Sequence, residues 1–260
     1  MKHLQTAAYP TPEDVIHLFI GGSELHGAKV GATDDLDLYG VFMETPEEAI
    51  GLQPRTHFIW STASDDRRNG PDDVDLTLYS LRRWAYLAAK GNATALHFLF
   101  AAARAISNQV WMEVQASSAL FLAKHSAEQF LGFALSQKKR ITGEAGRGKK
   151  GRRPEYECVH GYDSKAAMHC LRLYLECIEL MREGRITLPR PEREFLINVR
   201  QGRYTREQFE GLAESLRNQA ESAAISSPLP DAVDQRSISQ LIARVHRDYW
   251  DGQTSRGDSL

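Results

Sequence analysis

Val15-Ile16-His17-Leu18-Phe19-Ile20-Gly21-Gly22-Ser23 and, eleven residues further on, Asp35-Leu36-Asp37-Leu38-Tyr39-Gly40-Val41-Phe42 decide how this chain folds. The first stretch is an apolar run of strand length closed by two glycines. The second is apolar or alternating throughout, as a largely buried strand would be, and carries two acids at its start. Side chains repeat every two residues on one face of a strand. Asp35 and Asp37 therefore point the same way, and Leu36 and Leu38 are expected to point into the core.

Two carboxylates side by side repel unless a cation neutralises them, and magnesium prefers carboxylate oxygens shared with substrate phosphates. A glycine turn admits an anion close to backbone N–H groups, and a helix beginning near Ser23 and running to Ala28 would aim its positive end at the same place. Gly22 and Ser23 are thus candidate phosphate-binding residues, and Asp35 and Asp37 candidate ligands for Mg2+ or Mn2+. Asp73-Val74-Asp75-Leu76 supplies a third acid on a neighbouring strand. Asp75 is the choice for a base or further metal ligand, with Asp73 on the same face as its rival.

Outward from this centre, the chain divides. Strands are expected over Val15 to Ile20, Leu36 to Phe42, His57 to Ser61 and Asp73 to Tyr79, with the charged stretch Asp65 to Asp72 as a loop. Thr45-Pro46-Glu47-Glu48 reads as a helix start, and Ser80 caps a helix with Leu81, Trp84, Leu87 and Ala88 on one stripe, ended by Gly91-Asn92. Past residue 105 strand signals fade. Helices are expected over Val110 to Lys124, Ala127 to Arg140, Asp163 to Arg182, Glu192 to Arg200, Thr205 to Ala223 and Ser237 to Trp250, and Thr205-Arg206-Glu207-Gln208 fits a capping box. The expected class is α+β, with a core of mixed sheet and helices over residues 1–105 and a helical domain over 106–260.

Composition sets bounds. At 260 residues and 42% hydrophobic residues the chain can bury a core without disulfides. A net charge of −2 argues for neither nucleic acid nor membrane at the level of the whole molecule. Local clustering does argue: Lys138 to Arg153 holds Lys138, Lys139, Arg140, Arg147, Lys149, Lys150, Arg152 and Arg153 against one acid, Glu144, which suits contact with a polyanion. Lys149, Lys150, Arg152 and Arg153 are the candidate nucleic-acid contacts. Gly146-Arg147-Gly148-Lys149-Lys150-Gly151 satisfies G-x-G-x-x-G but follows no strand and has no acidic partner downstream, so a dinucleotide site is rejected. Cys158, Cys170 and Cys177 lack zinc or disulfide spacing; Cys170 and Cys177 fit a buried helical seam. With no signal peptide and no apolar span, a cytoplasmic protein with no membrane partner is expected.

The Gly-Ser pair, the eleven-residue gap and Asp35-Leu36-Asp37-Leu38 resemble the signature of the DNA polymerase beta-like nucleotidyltransferase superfamily. Val74 to Leu81, Lys90-Gly91-Asn92 and Gly161-Tyr162-Asp163-Ser164-Lys165 with His169 and Arg172 resemble its prokaryotic and phage branch, named for association with RNA-repair genes. The resemblance covers roughly residues 17–220. It implies two-metal transfer of a nucleoside monophosphate from a nucleoside triphosphate such as ATP, and leaves the acceptor open between an RNA end, including transfer RNA, and a protein or small-molecule hydroxyl. A noncatalytic RNA-binding module on the same scaffold is the alternative of another class. Lys165, His169 and Arg172, at i, i+4 and i+7, share a helix face that would hold nucleotide if it closes over the cleft. One departure is Gly91-Asn92-Ala93, where the family pattern has proline after asparagine.

Overall fold

The computed structural model describes residues 13–31, 35–63, 70, 72–102, 106–142 and 154–257. Five strands form one mixed sheet: β1 (Val15–Ile20), β2 (Leu36–Phe42), β3 (His57–Ser61), β4 (Val74–Ser80) and β5 (Ile106–Ser107), in the order β3-β4-β2-β1-β5. β2 and β4 run parallel at its centre, while β1, β3 and β5 pair antiparallel with their neighbours. The four longer strands match the apolar runs of the sequence. β5 has only two residues, too short to show a period, and comes from just beyond the division expected at residue 105.

Among the described residues there are eleven α-helices, four of them before β5: α1 (Gly22–Leu25), α2 (Pro46–Ile50), α3 (Leu81–Ala89), α4 (Ala93–Phe100), α5 (Gln109–Ala116), α6 (Ser126–Thr142), α7 (Pro154–His160), α8 (Ser164–Glu183), α9 (Arg193–Arg200), α10 (Arg206–Ser226) and α11 (Gln235–Gly257). Local chemistry sets their starts. Thr45 and Thr205 each form a capping box, Ser80 accepts from the Arg83 N–H, and Asp163 accepts from the Ala166 N–H at the head of α8. The expected helix over Val110 to Lys124 is α5 followed by a 3-10 turn at Ser118–Phe121. α4 and α7 were not expected. α4 is apolar nearly all round and buried, so it lacks the amphipathic stripe that marks a surface helix.

The sheet has unequal faces. Leu76, Leu78, Val15 and Phe42 form a small buried cluster on one side with Leu38, Phe58 and Trp60 against it. Phe19, Tyr39, Val41 and Tyr79 face the other way and join the large core, which runs from Ile16 through Trp84, Phe98 and Trp111 to Leu171, Cys177 and Val245. This meets the expectation for Leu38, on the smaller of the two cores, and corrects it for Leu36. Leu38 packs in the minor cluster and Leu36 is half-buried outside both clusters, so the acids, in phase with Tyr39 and Val41, share the face that meets the helices. α8 is the centre of the helical half, packed by α6, α9 and α10, and Cys170 and Cys177 lie buried in it as a seam. No helix among the described residues is long and apolar enough to cross a membrane.

Candidate nucleotidyltransferase site

β1 delivers the chain to Gly21 and Gly22. The Gly21 N–H donates to the Asp37 carbonyl at 2.8 Å, which holds the turn against the head of β2. Gly22 has φ +57, and a Cβ there would lie 1.9 Å from Asp37 Oδ2. Only glycine suits a left-handed backbone pressed on a carboxylate. The turn and the first acidic motif are therefore one piece of structure.

Asp37 pairs with Asp75 across the parallel β2–β4 ladder, and Asp35 precedes β2. Asp35, Asp37 and Asp75 each offer a carboxylate oxygen within 4.8 Å of the others, all half-buried. Asp73 does not join them. Its Oδ1 accepts from Thr62 Oγ1 at 3.0 Å and its Oδ2 from the Gly70 N–H at 2.6 Å, so it ties down the connection between β3 and β4. Burial first, and then the neighbouring Asp37, pushes the Tyr39 hydroxyl up to about 12, which keeps it protonated beside the acids.

The helix expected from Ser23 to Ala28 is a single turn, α1, closed by the Gly27 N–H on Glu24 and the Ala28 N–H on Ser23. One turn carries little macrodipole, so Gly22 and Ser23 offer a tight turn of N–H groups in its place. Lys165 and His169 are half-buried on α8, one on its first turn and one on its second. Arg172 is the third residue of the face expected to hold nucleotide. It is 6% exposed, and its Nη1 donates to both Glu176 oxygens at 2.8 and 2.9 Å. Arg172 shares the face of Lys165 but lies two turns further along α8, where His26 packs on it and the carboxylate of Glu176, one turn on, engages the guanidinium. Glu176, His26 and His97 in the same cluster were missed by sequence reasoning; the Arg172–Glu176 spacing of four was the available signal.

Lys138, Lys139 and Arg140 end α6. Arg147, Lys149, Lys150, Arg152 and Arg153 lie outside the described residues. A cavity of about 690 Å³ between α2, α3 and α11 is lined by none of the candidate residues.

The family model for the RNA repair pathway DNA polymerase beta family (RlaP) matches residues 1–249. The chain belongs to that family. As a member of the RNA repair pathway DNA polymerase beta family it is a polymerase beta-like nucleotidyltransferase. Among solved structures it is similar to a nucleotidyltransferase-like protein from Exiguobacterium sibiricum, at 14% identity and a TM-score of 0.30, over 95% of this chain and 75% of that one. No curated protein matches the sequence.

Proposed function

We propose that this chain transfers a nucleoside monophosphate from a nucleoside triphosphate to an RNA end, in a reaction that depends on Mg2+ or Mn2+. The observation that carries the reading is the convergence of Asp35, Asp37 and Asp75 within 4.8 Å, directly against the Gly22 turn. Three carboxylates with no soft donor among them suit a hard divalent ion. Such an ion, when bound, neutralises the charge shared between the carboxylates and the triphosphate.

The chain's own groups divide the remaining work. Gly22 and Ser23 hold phosphate oxygens through backbone N–H groups and the serine hydroxyl. Asp75, half-buried on β4, takes the proton of the attacking hydroxyl or completes the metal-binding set. Lys165 and His169 contact the nucleotide from α8. RNA as acceptor is supported by the family's description and by the basic residues from Lys138 to Arg153.

The test incubates the protein with the four α-labelled triphosphates, magnesium and an RNA pool. RNA is expected to be labelled, to lose the label with chelator and to regain it with added Mg2+ or Mn2+. Equal labelling by an Asp35→Ala, Asp37→Ala double variant would sink the assignment, and label on protein or a small molecule in place of RNA would move the acceptor.

A further inference from the structure

We infer that Arg172, Glu176, His26 and His97 form a buried positioning device that anchors the Gly21–Ala28 turn on the helical half of the molecule. The inference rests on the nucleotidyl-transfer reading for its consequence, and on geometry alone for the anchoring. His26 closes α1, His97 is on α4, and Arg172 and Glu176 are one turn apart on α8. All four are at least nine-tenths buried.

Each hydrogen bond in the cluster has a donor and an acceptor. Glu176 Oε1 lies 3.1 Å from His26 Nδ1, Glu176 Oε2 lies 3.1 Å from His97 Nε2, and Arg172 Nη1 lies 3.0 Å from His26 Nε2. Burial, and then the Arg172 charge, lowers His26 to about 3, so it is neutral. A neutral ring has one donor and one acceptor. His26 Nδ1 then donates to Glu176, while Arg172 Nη1, 3.0 Å from Nε2 and 3.4 Å from Nδ1, lies against the ring, and the two contacts together fix it. Burial alone would raise Glu176, but Arg172, His97 and His26 hold it well below the usual carboxylate range.

Two further contacts grip the backbone of the same turn. The Arg190 N–H donates to the His26 carbonyl at 3.2 Å, and Arg200 Nη1 donates to the Ala28 carbonyl at 2.9 Å. Gly27, at φ +67, passes so close to Pro189 that a Cβ would lie 3.1 Å from it. The helical half thus holds the C-terminal end of a turn whose N-terminal end presses on Asp37.

His26, His97 and Glu176 also have ligand atoms within 4.8 Å of one another, the spacing of a metal site. The Arg172 guanidinium already stands where that cation would, 2.8 Å from the carboxylate. A second cation there would meet direct repulsion in a buried setting.

The experiment compares the wild-type chain with Glu176→Gln and with an Arg172→Met, Glu176→Leu double variant. Removing one partner strands a buried charge and endangers the fold; replacing both with apolar groups is commonly tolerated. In the folded double variant, amide hydrogen exchange within residues 21–28 should rise at least about tenfold with little change in β2 and β4. The KM for triphosphate should rise by about tenfold or more, with kcat changed less. Unchanged exchange in residues 21–28, or stoichiometric zinc in the purified wild-type protein, would overturn the anchor. If the wild-type protein binds no triphosphate, the nucleotide reading fails, and the exchange result still decides the anchor.

Discussion

Gly22 carries the tightest demand of any single residue in the site. An alanine there is strained at φ +57 and puts a methyl 1.9 Å from Asp37 Oδ2, so the carboxylate has to move. The strain is about 1–2 kcal/mol, which a folded protein of this size survives, whereas a displacement of about 1 Å among reacting groups costs about a hundredfold in rate. Gly22→Ala is therefore expected to keep its circular dichroism spectrum and lose at least about a hundredfold in labelling; full activity would show that Asp37 need not be where it is. Asp73 and Asp75 separate by the same logic. Asp75→Asn removes a member of the converged set and should cost about a thousandfold or more in transfer, the scale of several kcal/mol. Asp73→Asn loosens the hold on Thr62 and Gly70 and should cost stability, with transfer kept within about tenfold. The reverse ranking of the two variants, read by labelling and thermal melting together, would exchange their roles. The period of a strand put both acids on one face in the sequence but could not choose between them, because the choice depends on hydrogen bonds made by a connection that has no period.

Elements were legible where the signal was local. Capping boxes at Thr45 and Thr205 and the Ser80 cap are each complete within four residues, and the structure has all three. β5 and α4 were not legible, since one is two residues long and the other is defined by burial on every side. The junction between α3 and α4 turns the family departure at Ala93 into a measurement. Asn92 caps α4 through the Ala95 N–H, so Ala93 is the first helical residue, where the missing N–H and fixed φ of proline are tolerated. Ala93→Pro is expected to leave the melting temperature unchanged or raise it, by up to about 1 kcal/mol in stability. Gly91→Ala should do the opposite, because Gly91 has φ +72 and a Cβ would lie 2.6 Å from the Cα of Ser126 at the head of α6. A loss of about 2 kcal/mol or more is expected from strain and contact together. Differential scanning calorimetry on both variants checks the pair; a destabilising proline would mean that the first turn of α4 is held differently.

At the scale of the whole molecule, the acids and the main core lie on the same side of the sheet, so what supports the site is the helical half. Sequence periodicity shows alternation but not which face a later set of helices will cover. Nor could it join His26 to Glu176, since 150 residues separate groups whose Nδ1 and Oε1 are 3.1 Å apart. Buried histidines of this kind leave a signature in stability. His26 faces Arg172 and Glu176 from α8 and His97 from α4; His17 on β1 stacks on Trp111 at 4.5 Å between Phe19 and the Ile106 backbone. Burial is the largest cause in both, lowering His26 to about 3 and His17 to about 4. Below pH 6.5 the unfolded chain binds protons that the folded chain refuses, so stability falls with pH, by about 1.4 kcal/mol per histidine for each unit until the folded value is approached. Glu176 is shifted in the same direction, but the stability it contributes is lost only as pH falls beneath its ordinary value of 4.5, so it is silent between pH 5.5 and 7.5. The melting temperature should therefore drop between pH 6.5 and 5.5, by about 2–4 °C for each kcal/mol in a protein of this size. His17→Phe keeps an aromatic ring against Trp111 and removes one of the two titrations, so its melting temperature should fall less steeply over that interval. Equal slopes for the variant and the wild-type chain would mean that His17 takes up its proton in the folded state as readily as in the unfolded one.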